Sequence, residues 1–259
     1  TESKKNNKSL FHLKSGKDKS KDQSYFLCQL NQSQLSKTMF PIGQYEKKKV
    51  RQIAEENDLI TANKKDSQGL CFIGKVKLPD FLQQRLKPKK GQVILIDQNH
   101  DCFKSANKLN DVSYNSKEIN YKKMDGQIIG DHNGAHFFTV GQRKGLSIGG
   151  RKKPIYVLGT DVVNNIVYVG EGSKHPGLFR FALRVRSSEM HFVSDVYKKL
   201  KINNFKARIR YRQALQDVSL IKKSKNYFFI FKKPQKAITR GQFIAVYNND
   251  ELICSGIID

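Results

Sequence analysis

From Pro154 onward the chain reads Ile155-Tyr156-Val157-Leu158, Ile166-Val167-Tyr168-Val169 and Ala182-Leu183-Arg184-Val185, then Phe205 to Tyr211, Tyr227 to Phe231, Phe243 to Tyr247 and Leu252 to Ile258. Turn residues separate these apolar runs, and no long helical periodicity interrupts them. Short strands rich in branched and aromatic side chains predict a small closed antiparallel β-barrel over residues 154–259, since closure leaves no strand edge unpaired.

Upstream the pattern changes. Apolar positions from Asp22 to Gln34 and from Glu46 to Leu59 recur at helical spacing, and Met39-Phe40-Pro41-Ile42-Gly43 between them is a short run ended by turn residues. Helix, strand, helix predicts the tail of an α/β domain over residues 1–65. Residues 66–153 form a central domain with a helix from Leu78 to Leu86 and a strand at Gly91–Asp97. An Asn- and Lys-rich stretch, 98–125, predicts an exposed, poorly ordered insertion in which Cys102 has no catalytic role. The expected fold class is α+β, mostly β.

The chain has 259 residues, 48 of them Lys or Arg and 23 Asp or Glu, for a net charge of +25. Such an excess suits a polyanionic partner such as nucleic acid or an anionic membrane surface; a lysine-rich genome bias would produce it too. The four cysteines, Cys28, Cys71, Cys102 and Cys254, contain no C-x-x-C pair, which argues against a zinc ribbon or a disulfide framework and for a reducing cytoplasm. No apolar run is long enough to cross a bilayer. His132 and His136 with Cys102 lack a fourth ligand, so no metal site is expected.

Asp66-Ser67-Gln68-Gly69-Leu70-Cys71-Phe72 presents a single thiol from a turn-forming run beside Lys64, Lys65 and Lys75. Nearby positive charge favours the thiolate, which makes Cys71 the candidate nucleophile; a buried structural cysteine is the alternative. In Lys206-Ala207-Arg208-Ile209-Arg210-Tyr211-Arg212, strand alternation puts four cations on one face, as would suit an anion lying across it or a solvated barrel face. Gly141-Gln142-Arg143-Lys144-Gly145 with Gly149-Gly150 lacks the ending of a Walker loop and reads as a basic loop.

Taken in order, Lys21-Asp22-Gln23, Phe40-Pro41-Ile42-Gly43, the Cys71 run, Thr139-Val140-Gly141-Gln142-Arg143-Lys144-Gly145, Arg210-Tyr211-Arg212-Gln213 and Gly241-Gln242-Phe243 resemble the tRNA-specific 2-thiouridylases. The resemblance runs from about Leu13 to the last residue. It implies thiolation of the wobble uridine, with Cys71 carrying a persulfide delivered to the ATP-activated C2 atom. It also implies that Lys21, Asp22, Gln23, Arg210, Tyr211 and Gln242 contact tRNA, and that a cysteine desulfurase or relay protein donates the sulfur. ATP with magnesium is the implied cofactor, bound through a Ser-Gly-Gly-x-Asp-Ser loop that this chain does not contain. The expectation is therefore a carboxy-terminal portion of such an enzyme, incomplete for adenylation, or alternatively a non-catalytic tRNA-binding module in which Cys71 is structural.

Overall fold

In the computed structural model the described residues are 1–5, 8–65, 81, 84–104, 111–146, 148–199 and 205–259. They fall into two compact units, one made of Thr1–Asp66, Arg184–Lys233 and Arg240–Asp259, the other of Ser67–Leu183 and Pro234–Thr239. Among them, no helix is long and apolar enough to cross a membrane.

The barrel is present. Strands β7 (Phe179–Phe192), β8 (Phe205–Arg208), β9 (Gln216–Lys223), β10 (Asn226–Lys236), β11 (Phe243–Asn248) and β12 (Glu251–Ile258) close in the order β10-β7-β12-β11-β8-β9. β11 pairs antiparallel with both β12 and β8, from Phe243 opposite Ile257 and from Ala245 opposite Arg208. Its residues Ile244, Ala245, Val246 and Tyr247 are all buried, although alternate side chains point to opposite faces. Both faces are covered because the amino-terminal segment lies on the outside. Leu252 N–H donates to Leu13 O, Ser255 Oγ to Cys28 O, and the Tyr25 hydroxyl to the carbonyls of Ile209 and Phe243.

Two runs assigned to the barrel from the sequence belong elsewhere. β5 (Ile155–Asp161) and β6 (Ile166–Glu171) join β3 (Gly91–Ile96) and β4 (Gly126–His132) in a four-stranded sheet of order β4-β3-β6-β5. Val93, Val157, Val167 and Val169 pack on one side of it, and Ile94, Ile96, Leu158, Ile166 and Tyr168 on the other. A sheet buried on both faces needs continuous apolar strands, and Val93-Ile94-Leu95-Ile96 and Ile166-Val167-Tyr168-Val169 supply them.

The amino-terminal expectations are corrected in part. The helix at Glu46–Leu59 is found as Lys47–Glu56, but Asp22–Gln34 is a chain of turns ending in a single helical turn, Gln32–Leu35. That turn carries a capping box, with the Asn31 side chain accepting from Gln34 N–H and the Gln34 side chain from Asn31 N–H. Met39–Gly43 is not a strand but irregular chain running into a turn at Pro41, with no ladder partner among the described residues. The helix at Leu78–Leu86 falls largely outside the described residues.

The described parts of the 98–125 stretch, 98–104 and 111–125, are more structured than expected. Helical turns stand at Asp101–Lys104 and Val112–Asn115, while Phe103 and Tyr121 pack on the cluster around Ile94 and Tyr168. Burial raises the pKa of both Cys102 and Tyr121, as fits residues held inside a unit.

Candidate functional site

The basic run at 206–212 does not stay a strand. β8 ends at Arg208, and the chain then bends through Ile209 and Arg210 into a turn at Tyr211. The expected row of four cations on one face is thereby broken. Lys206 is exposed, whereas Arg208 is buried beside the equally buried Asp22.

Arg208 works inward. One terminal nitrogen donates to Asp22 Oδ2 at 2.5 Å, Ser24 Oγ at 2.9 Å and the Tyr247 hydroxyl at 2.8 Å, and the other donates to Tyr211 O at 3.2 Å. Asp22 Oδ1 takes the amides of Gly16 and Ser24 at 3.1 and 3.0 Å. Burial alone would raise the Asp22 pKa, but the Ser24 and Gly16 amides and the Arg208 guanidinium outweigh it and hold the carboxyl below its ordinary value. Burial likewise opposes the Arg208 charge and is outweighed by Tyr247 and Asp22. Both groups are thus ionised and fully engaged. Asp22, which the resemblance implies as a tRNA contact, is buried here and holds the segment that carries its neighbour Gln23.

Gln23 is exposed, and its side-chain amide donates to the Tyr211 hydroxyl at 2.6 Å. The Phe26 ring stands 4.6 Å from the Tyr211 ring, centroid to centroid, and is 62% exposed. The two rings border a pocket of about 400 Å³ lined by Tyr25, Phe26, Arg210, Tyr211, Gly241, Gln242 and Phe243. Gly241 has φ +80°, a conformation that suits glycine and forms the turn from which Gln242 enters the pocket. The side-chain carbonyl of Gln242 is buried and accepts no hydrogen bond within the protein. Burial pulls the Arg210 pKa down and pushes that of Tyr25 up to about 12.

The fold therefore brings Gln23, Arg210, Tyr211 and Gln242 together from three separate stretches of chain. Lys21 sits in the turn just before, with its amide donating to Asp18 O at 3.1 Å. Phe26 was read from the sequence only as one of the apolar positions of a helix, with Tyr25, Leu30 and Leu35; in the turn that forms instead, Phe26 is exposed and Tyr25 buried. Cys71 lies outside the described residues. The other three cysteines are poorly disposed to react: Cys28 and Cys254 are buried, Cys102 is half-buried, and burial raises the pKa of each thiol.

In the other unit the described residues of the 141–150 run lead into β5 rather than into a helix. It borders a depression of about 560 Å³ with Arg143, Arg151, Lys152 and Lys153 on its walls. Among the described residues no group of three His, Cys, Asp or Glu is placed to hold a metal ion.

Comparison with known families matches residues 1–75 to the tRNA methyl transferase HUP domain, 111–171 to the tRNA methyl transferase PRC-barrel domain and 181–258 to the aminomethyltransferase β-barrel domain. The second match includes 111–125, the end of the stretch expected to be an insertion. Similar curated proteins include the tRNA-specific 2-thiouridylases MnmA of Christiangramia forsetii, 50% identical over 96% of this chain, and of Flavobacterium johnsoniae, 49% identical over 97%. The MnmA of Streptococcus thermophilus is 39% identical over 96% of this chain. The chain spans 65% of the length of the first two relatives and 60% of the third.

Proposed function

Since the chain belongs to the family of tRNA-specific 2-thiouridylases, we propose that it serves the 2-thiolation of tRNA, binding the tRNA at the Gln23–Tyr211–Gln242 pocket and carrying sulfur on Cys71. The observation that carries this reading is the pocket itself, where residues far apart in sequence converge with the chemistry of an unstacked nucleotide. Phe26 and Tyr211 offer ring faces on which a base can stack. Arg210 offers a guanidinium fork to a phosphate, and the unsatisfied Gln242 carbonyl accepts from a base or a ribose hydroxyl. An enzyme acting on C2 of a uridine has to take that base out of its stack, and such a surface holds the neighbouring nucleotides while it does so.

Asp22 and Arg208 take no direct part in this binding. They fix the backbone of the 22–24 turn against the barrel, so that Gln23 and Phe26 meet Tyr211 in one geometry. Cys71 supplies the sulfur as a persulfide loaded by a donor protein, a role for which the three described cysteines, their thiol pKa values raised by burial, are less suited. The roles proposed for this chain's own residues are therefore the tRNA surface and the sulfur.

The test combines labelling and binding. Incubation with a cysteine desulfurase and sulfur-labelled cysteine is expected to load Cys71 and to fail in Cys71→Ser. Label spread evenly over Cys28, Cys102 and Cys254 would remove the sulfur role. If tRNA nevertheless binds at the pocket, the chain is a binding module with a structural Cys71.

A further inference from the structure

We propose that Arg184, Arg186 and Arg240, gathered around Asp259, form a seat for a tRNA backbone phosphate next to the Gln242 turn. This rests on the reading of the pocket given above and extends it along the tRNA.

Asp259 receives three guanidiniums, Arg184 at 2.5 Å, Arg186 at 2.9 Å and Arg240 at 3.1 Å. The sheet register makes this possible. Arg184 and Arg186 are two apart on β7 and so share a face, while the Asp259 amide donates to Arg184 O at 2.9 Å and continues β12 by one residue. Arg240 arrives from the other side on the turn before β11. That turn is tied to the same strand end, since Gly241 N–H donates to Ile258 O at 2.9 Å and Ile258 N–H to Gln242 O at 2.8 Å. Arg240 and Gln242 are therefore held by one short ladder, with the glycine between them.

The arrangement exceeds what packing requires. Asp259 is only 9% exposed and one arginine would neutralise it, yet Arg186 and Arg240 join it while remaining 59% and 60% exposed. Exposed ion pairs contribute little to stability, and three like charges drawn together repel one another. Burial opposes the Asp259 charge, and the guanidiniums outweigh it to keep the carboxyl below its ordinary pKa. The cluster stays positively charged overall, with guanidinium edges in water suited to paired donation to a phosphate.

The experiment uses the whole chain and an unmodified tRNA transcript, with affinity measured across a range of potassium chloride concentrations. Arg186→Ala and Arg240→Ala are each expected to weaken binding about three- to tenfold and to lower the salt slope by roughly one. Arg240→Lys keeps the charge and is expected to restore the slope without the full affinity. Asp259→Asn is the sharper variant, because removing a negative charge should tighten tRNA binding if only net charge matters, and should weaken it if Asp259 preorganises the seat. If Asp259→Asn does not fold, the two exposed arginine variants decide alone. Unchanged affinity and slope in those variants, or tighter binding by Asp259→Asn, overturns the seat while Arg210→Ala still weakens binding. Loss of any effect at Arg210→Ala as well removes the pocket reading itself.

Discussion

Residues 12–35 and residues 39–60 lie in the same matched domain, yet they are treated in opposite ways by the fold. The first stretch buries Leu13, Asp22, Ser24, Tyr25, Cys28 and Leu35, whereas no residue from 39 to 60 is buried. Met39, Ile42, Leu59 and Ile60 stand more than half exposed, and the Lys47–Glu56 helix leaves Val50, Ile53 and Ala54 only half covered. Hydrophobicity does not distinguish the two. What does is the set of polar partners that the barrel offers to the first: the carbonyls of Ile209 and Phe243 for Tyr25, Tyr247 for Ser24, Ser255 for Gln29 and Arg208 for Asp22. Burial of a main chain of turns is tolerable only where its polar groups are met, and between 12 and 35 they are.

The contrast breaks most severely at its one buried ion pair. Asp22→Ala or Arg208→Ala leaves a buried charge without its partner, which should cost about 3–5 kcal/mol of stability, read by urea denaturation. Hydrogen exchange should then show 12–35 falling toward the low protection of 39–60, which in the native chain it should clearly exceed. Equal protection of the two stretches in the native protein would mean that the docking is not what separates them.

Next in size is the ring surface. Phe26→Ala removes an exposed side chain, so it should leave stability nearly untouched and weaken tRNA binding by about 1–3 kcal/mol, the range for loss of one base stack. Fluorescence anisotropy checks this, and undiminished affinity would return Phe26 to the class of incidental surface apolars exemplified by Met39.

The smallest effect is in pH. The folded-state pKa of Asp22 lies below its ordinary value of 3.8, so its contribution to stability is fully present above that value and is lost as pH falls through the folded one. In Asp22→Asn this component of acid destabilisation should vanish, making the fall in stability below about pH 4 shallower. An unchanged acid limb would mean that the carboxylate contributes no net ionic stabilisation.

The sequence showed where strands would lie better than where they would pair. The β11 run is as continuously apolar as β6, so periodicity could not say which belonged to the barrel; non-local pairing made that choice. Arg208 was misread for a related reason. Strand alternation put it with Arg210 and Arg212, and only the bend after β8 and the arrival of Asp22 from 186 residues away turn it inward. Gln23, Arg210, Tyr211 and Gln242 were grouped by resemblance alone; the structure sets Arg210, Tyr211 and Gln242 around one pocket and hydrogen-bonds Gln23 to Tyr211. Phe26 and the Asp259 cluster were not legible, because each depends on side-chain direction across contacts that are distant along the chain.

One measurement bears most directly on the claim that this junction of segment and barrel is where tRNA binds: hydrogen exchange of the whole chain with and without unmodified tRNA. Protection is expected to rise at 21–27, 209–213 and 240–243 together, while 47–60 stays unchanged. A rise confined to the basic depression around 143–155, with those three stretches unaffected, would contradict the account.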